Sequence, residues 1–411
     1  MNTTNTELLD RDKLKTLIND MSIKHAWLAS EIRISERTLT RWINGDVTRV
    51  RISNLKKLAV ALGCETNTLI ARSETESYPS HVNRAILVNE LHNDSLLYEL
   101  LMSSKIKLAI ALIKSTFHSR LPLSVLGDFH VKLGYASLIH RKFKSAIKQF
   151  DKAGLKARSA YDNQLIFSVN LGLAITHFFD DNYSECQSFL NLCEATLSFS
   201  GHEKAHFYCT SALFYIHSGQ LEKAIDATDN CIEECSPDKT PIEKKLFLCT
   251  AMQLKGAIYL FLGKAEQAEK CCRESLEVAV VSGYSRCVNV SKAYLAAVLA
   301  YQGDTQSAVA LCEMSIDKTD KKDISYPSLI AISLFVYRKL GDADRCLEQY
   351  TKLKSITREY SNTRVFGQYQ MLVIEHAAGH SHLSAEYKLQ LTKSLQKLGL
   401  TNWIEQLQID Q

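Results

Sequence analysis

The stretch LGYASLIHRKFKSAIKQFDKA, Leu133 to Ala153, decides the fold. It reads as two helices joined by a short turn. Small residues at Gly134 in the first helix and Ala146 in the second let the two approach closely. Phe143, Phe150 and Ala153 supply the apolar contacts that bridge to whatever hairpin follows.

The same signature recurs down the chain. The small residue of the second helix falls at Ala146, Cys186, Ala224, Ala268, Ala308, Cys346 and Ser384, at spacings of 40, 38, 44, 40, 38 and 38. The contact position of the first helix falls at Gly134, Gly172, Ala212, Gly256 and Ala296, then becomes Leu334 and Leu372. A glycine near the turn recurs as Gly219, Gly263, Gly303, Gly341 and Gly379. About seven such units occupy residues 125–411, and a helical connector over 81–124 precedes them. The unit resembles the tetratricopeptide repeat, with a period near 40 that is longer than the usual 34. The resemblance implies an all-α, right-handed solenoid with a concave groove.

Residues 1–72 are different. Of the formal +4 of the 411-residue chain, all lies here: 12 basic and 8 acidic side chains, against 37 and 37 in the remainder. Five short helices are predicted. Asp12 caps the first. The second runs from Lys24 to Ile32, the third from Ser35 to Asn44-Gly45, the fourth from Ser53 to Gly63, and a short fifth follows Thr66. The segment SETESYPS, Ser73 to Ser80, is polar, ends near a proline and reads as a linker.

Within the basic module lies LASEIRISERTLTRWINGD, Leu28 to Asp46. Ala29 is small where two helices cross, Ile34 plugs the turn, and Ser35 caps the next helix. Leu39 and Trp42 face inward, which leaves Glu36, Arg37, Thr40 and Arg41 outward. These positions, with Leu55, Leu58, Ala59, Leu62 and Gly63 after them, resemble the helix-turn-helix of Cro-like and lambda-repressor-like regulators. That resemblance implies a recognition helix in the DNA major groove. Arg33 stands where the family has glycine in the turn, and Lys24-His25 where it has Thr-Gln. The implied DNA contacts are Lys24, His25, Ser35, Glu36, Arg37, Thr38, Thr40, Arg41, Arg49 and Arg51. Arg37 is the base reader of choice, because a guanidinium spans O6 and N7 of guanine. Glu36 can accept from cytosine, and Arg41, Arg49, Arg51 and Lys24 suit phosphates.

Composition narrows the remaining functions. At 46% hydrophobic and 23% charged residues the chain suits a soluble globular protein, and 16 Gly and 5 Pro are too few for many hairpin turns of sheet. No apolar run reaches the ~18 residues of a membrane span, and the polar N-terminus lacks a signal-peptide core, so a cytoplasmic location is expected. Twelve cysteines without a paired framework fit buried thiols in a reducing compartment. Phosphate loop, zinc-helix and nucleophile-elbow motifs are absent, so neither catalysis nor a cofactor is expected. His376, His380 and His382 read as surface histidines and not as a metal site.

The order of parts resembles the peptide-sensing, quorum-sensing type transcription regulators of bacteria and their phages. It implies a homodimer on a palindromic operator, with the repeats as sensor and dimer contact. By repeat register the inner face carries Tyr135, Asn170, Thr176, His206, Gln253, Arg338, Tyr369 and His376. Side-chain amides there can donate and accept at once to a peptide backbone, and Arg338 suits a terminal carboxylate. A second reading stays open, in which the repeats dock a protein partner and the helix-turn-helix tethers it to DNA.

Overall fold

The computed structural model describes residues 6–21, 23–71, 81–92, 95–117, 121–196, 202–235, 242–400 and 403–404. The linker expected at 73–80 lies outside them. The chain divides into two compact units, Met1–Leu87 and Val88–Gln411.

The first unit contains β1 (Thr6–Leu8), α1 (Arg11–Asp20), α2 (His25–Glu31), α3 (Glu36–Asn44), β2 (Arg49–Arg51), α4 (Ile52–Ala61) and a single 3-10 turn, Thr66–Thr68, in place of a fifth α-helix. The cap of α1 is Asp10, which accepts from the Lys13 N–H at 2.9 Å, and not Asp12. The reason is the strand before it: the Leu9 N–H donates to Thr48 O at 2.9 Å and fixes where the chain turns. β1 and β2 pair antiparallel, Thr6 opposite Arg51 and Leu8 opposite Arg49. Strands of three residues carry too little alternation to be seen in the sequence. Ser35 caps α3 as expected, and Gly45 ends it at φ 86°. Arg33 takes the left-handed turn at φ 57° without a glycine. Leu14, Leu28, Leu39, Leu55, Leu58 and Leu69 form a fully buried core.

Three helices, α5 (His81–His92), α6 (Ser95–Met102) and α7 (Ile106–Thr116), lead to an array of hairpins. These are α8 (Leu123–Ile139) with α9 (Phe143–Ala160), α10 (Asn163–Phe179) with α11 (Tyr183–Glu194), and α12 (His202–His217) with α13 (Leu221–Cys235). They continue as α14 (Ile242–Phe261) with α15 (Ala265–Ser282), and α16 (Ser285–Gln302) with α17 (Thr305–Asp317). The last are α18 (Tyr326–Lys339) with α19 (Ala343–Ile356), and α20 (Asn362–Ala377) with α21 (Ser381–Leu398). The protein is thus all-α apart from one short strand pair, and its body is a tetratricopeptide-like solenoid. No helix among the described residues is long and apolar enough to cross a membrane.

The small-residue code explains the spacing of the array. Ala146, Cys186, Ala224, Ala268, Ala308 and Cys346 are all fully buried, and Ser384 nearly so. The Phe150 ring sits between Gly134 and Gly172: a methyl group at either would lie 2.7 Å or 2.2 Å from it. Where the first-helix position becomes Leu334, the room is recovered on the first helix of the next hairpin. Gly367 presents no side chain to Leu353 and Leu334, 2.8 Å and 3.3 Å from where its Cβ would be.

The array also closes on itself. The Ile324 N–H donates to Ile139 O at 2.9 Å. Arg141 Nη2 donates to Ile356 O at 2.6 Å, and the Asn362 N–H to Asp181 Oδ1 at 3.0 Å. Arg358 forms an ion pair with Asp180. Leu391, Leu395, Leu398 and Leu400 share a core with Phe167, Phe178 and Phe207, so the last hairpin packs against the second and third.

Substituting Gly172→Ala is expected to destabilise the second unit by about 1–3 kcal/mol, the usual cost of overpacking. A shorter ring substitute, Phe150→Leu, should recover part of that loss in the same chain. Chemical denaturation of the single and double variants checks both.

Candidate functional site

On the first unit, α3 presents a polar face to solvent. Leu39, Trp42 and Ile43 are buried, while Glu36, Arg37, Thr40 and Arg41 are exposed. Ser35 Oγ accepts the Thr38 N–H at 3.1 Å and lies 2.7 Å from Thr38 Oγ1, so these two hydroxyls hold the start of the helix. Thr40 Oγ1 donates to Glu36 O at 2.9 Å. Lys24 and His25 are exposed at the start of α2. Arg49 and Arg51 are exposed on either side of buried Val50, fixed by the strand pairing that the sequence did not reveal. Arg37 and Arg41 show no ion pair among the described residues, so both guanidinium groups are available to an external anion or base.

In the second unit the closed array surrounds a cavity of about 1240 Å³. That exceeds the ~300–1,000 Å³ of ordinary small-molecule pockets. Five of the inner-face residues named from the register line it: Tyr135, His206, Gln253, Arg338 and Tyr369. Tyr135 packs edge-on against Phe150 at 5.3 Å, and burial pushes its hydroxyl well above the usual range. His206 stacks on Phe247 at 4.7 Å. The Gln253 amide is occupied within the protein: Nε2 donates to Ser291 Oγ at 2.8 Å and to Cys287 O at 3.2 Å.

Three expected residues do not reach the cavity wall. Thr176 is fully buried and donates its hydroxyl to Gly172 O at 2.6 Å. Asn170 is half-buried outside the lining. Both belong to α10, whose neighbouring Leu171, Ala174 and Phe178 share a core with Leu391 and Leu395 of the returning hairpin. His376 is exposed.

The register missed most of the cavity's charge. Arg141, Arg286, Lys339 and Arg358 line it with Arg338, against one carboxylate, Asp181. Burial raises the Asp181 carboxyl to about 6; the Asn362 N–H and then Arg358 oppose the shift. Burial also lowers His217 to about 4, so this imidazole is neutral. It is held beside Asn362, and its backbone oxygen accepts from Trp403 Nε1 at 2.9 Å. Arg141, Asp181, Arg358 and Asn362 meet only because the array closes, so a repeat pattern gives no signal for them.

Residues 13–74 match the family of Cro/C1-type HTH DNA-binding domains. The N-terminal module is a Cro-type helix-turn-helix domain. Residues 250–279 match the tetratricopeptide repeat. No curated protein matches the chain at a significant level. Among solved structures, a Rap protein complexed with competence and sporulation factor superposes with a TM-score of 0.58 at 12% identity, over 94% of this chain and 99% of that one. NprR in complex with its cognate peptide NprX gives 0.49 at 11% identity, over 66% of this chain and 79% of that one. A Rap conjugation gene regulator of the plasmid pLS20, in complex with the Phr* peptide, gives 0.49 at 15%, over 79% and 87%. At 12% identity the first likeness is one of fold.

The raised Asp181 carboxyl sets a pH dependence. A carboxyl whose folded value lies above its unfolded one binds its proton more tightly in the fold, so stability falls as pH rises from about 4 towards about 6. Asp181→Asn keeps an acceptor for Asn362 and tolerates φ 60°. Its melting temperature should exceed that of the natural chain at pH 7.5, by no more than about 3 kcal/mol of stability. The gain should vanish at pH 4. Thermal melts of both proteins across pH 4–7.5 decide.

Proposed function

We propose that the protein is a sequence-specific transcription regulator. It reads a palindromic operator as a homodimer through α3, and a short peptide in the cavity of its repeat unit controls it. The observation that carries this reading is the joining, in one chain, of a Cro-type DNA-binding domain to a solenoid closed around a large, mainly apolar cavity. Supporting it, the fold of the chain resembles that of a Rap protein solved in complex with competence and sporulation factor. The site of action is the compartment that holds the DNA, the cytoplasm of a bacterial cell.

Arg37, Glu36 and Arg41 face base edges and phosphates in this account, with Lys24, His25, Arg49 and Arg51 along the backbone. A module of net +5 between Lys24 and Lys57 grips DNA modestly and with strong salt dependence. Two copies on a twofold site supply useful affinity, with recognition helices about one turn of DNA, ~34 Å, apart. The peptide acts by population shift: it biases the regulator only by its difference in affinity for the closed and opened arrays. The alternative of a plain docking scaffold leaves unused a cavity of this size lined mainly by aromatic and aliphatic side chains, which suits an extended peptide better than a folded partner.

Two measurements test this. Against a duplex selected from a random pool, Arg37→Ala should lose about 1–3 kcal/mol of binding and relax preference at one base pair, with an unchanged melting temperature. Unchanged affinity and preference would remove α3 from the major groove. Mass spectrometry of material co-purifying with the full chain should identify a short peptide. That peptide, once synthesised, should raise the melting temperature and change operator affinity.

A further inference from the structure

Among the described residues, the charges of the cavity are answered by the protein itself except at one place. Arg286 pairs with Asp323 at 2.8 Å, and Arg358 with Asp180. Arg141 donates to Ile356 O and lies in the field of Asp181. Arg338 and Lys339, in the last turn of α18, are placed differently. Arg338 is half-buried. Its Nε donates to the neutral Gln370 Oε1 at 2.6 Å, and its guanidinium stands 5.2 Å from the Phe335 ring centre. The Lys339 ammonium stands 4.6 Å from the Tyr301 ring centre and 5.8 Å from that of Phe335. Among the described residues no carboxylate pairs with either, and the two terminal nitrogens of Arg338 donate to nothing.

That arrangement is costly without a ligand. Burial lowers the affinity of both groups for their protons, and Arg338 lowers that of Lys339 further. The C-terminal carbonyls of α18 attract cations, but Arg338 reaches inward to Gln370 and not back to them. Ring faces offset part of the cost of desolvation. An anion beside them would offset the two charges. A guanidinium with Nη1 and Nη2 free takes a carboxylate through two parallel N–H bonds, and an adjacent ammonium adds a third. The anion must ride on an apolar body, because the wall around these two cations is aromatic and aliphatic.

We propose that Arg338 and Lys339 form the anion subsite of the cavity, and that it takes the C-terminal carboxylate of a short apolar peptide whose last side chain rests on Phe335 and Tyr301. This rests on the peptide-sensing reading and adds a polarity to it: the ligand enters with a defined end at α18. An amidated or C-terminally extended peptide leaves the two cations unanswered and loses the bidentate contact.

The test uses the full chain and two synthetic pools of random apolar hexapeptides, one with free C-terminal carboxylates and one amidated. Peptides retained through gel filtration are quantified by mass spectrometry. The free-acid pool should be retained at least 10-fold better than the amidated one. The Arg338→Gln, Lys339→Gln double variant should erase that preference while keeping the helical circular dichroism of the natural chain. Lys339 is exposed, so Lys339→Gln alone serves if the double variant fails to fold by circular dichroism; it should reduce the preference at least 3-fold. Equal retention of the two pools, or a preference that survives in the folded variants, overturns the subsite and leaves the peptide reading standing. Retention of neither pool overturns both. Binding of dodecanoate in that last case, lost in the variant, assigns the carboxylate to a fatty acid and overturns the peptide source.

Discussion

A single backbone hydrogen bond, from the Ile324 N–H to Ile139 O, joins the first hairpin of the repeat array to the turn before α18. The contacts around it turn a solenoid into a closed ring. Without that closure there is a groove, and with it there is a cavity. The closure also explains two local oddities. Five hairpin turns place glycine in the left-handed region, at Gly219, Gly263, Gly303, Gly341 and Gly379. The first two hairpins put Arg141 and Asp181 there instead, at φ 58° and 60°. A non-glycine residue in that region costs on the order of 1 kcal/mol. These two side chains are the ones that reach across the closure, to Ile356 O and the Asn362 N–H. The strain sits where the ring is held shut.

Much of this architecture is legible in the sequence because it follows from short-range packing. Ala146 and its six counterparts mark the second helix of each hairpin, and all are buried as a close crossing requires. Leu39 and Trp42 inside, with Arg37 and Arg41 outside, follow from the helical period alone. The failures have a common cause. The N-cap of α1 moved from Asp12 to Asp10 because a strand pairing 40 residues away sets the start of the helix. Asn170 and Thr176 occupy the right register on α10, yet the returning hairpin shares that helix's apolar core. Arg338 was visible as an inward cation. Arg358 was not, because its place on the wall depends on closure and not on period.

The two units divide the physical work. The first concentrates the excess positive charge, and its outward residues on α3 are the ones the fold does not use. Residues 73–411 carry no net charge, and the second unit places several of its cations on the cavity wall. On the proposed function, an occupant of the cavity touches both sides of the closure, since Arg141, Asp181 and Arg358 line the same space as Arg338 and Tyr369. A ligand that binds the closed ring better than the open one stabilises closure by that difference and no more. Signal and output then share one equilibrium.

Amide hydrogen exchange at Ile324 tests the closure most directly. Its N–H lies in a turn, where no helix protects it, and its partner is Ile139 O alone. In the ligand-free protein the ring predicts exchange slowed by roughly 100-fold or more relative to an exposed turn, as for amides that open only with a cooperative unit. Exchange at the rate of a solvated turn would show the array open and would contradict the account.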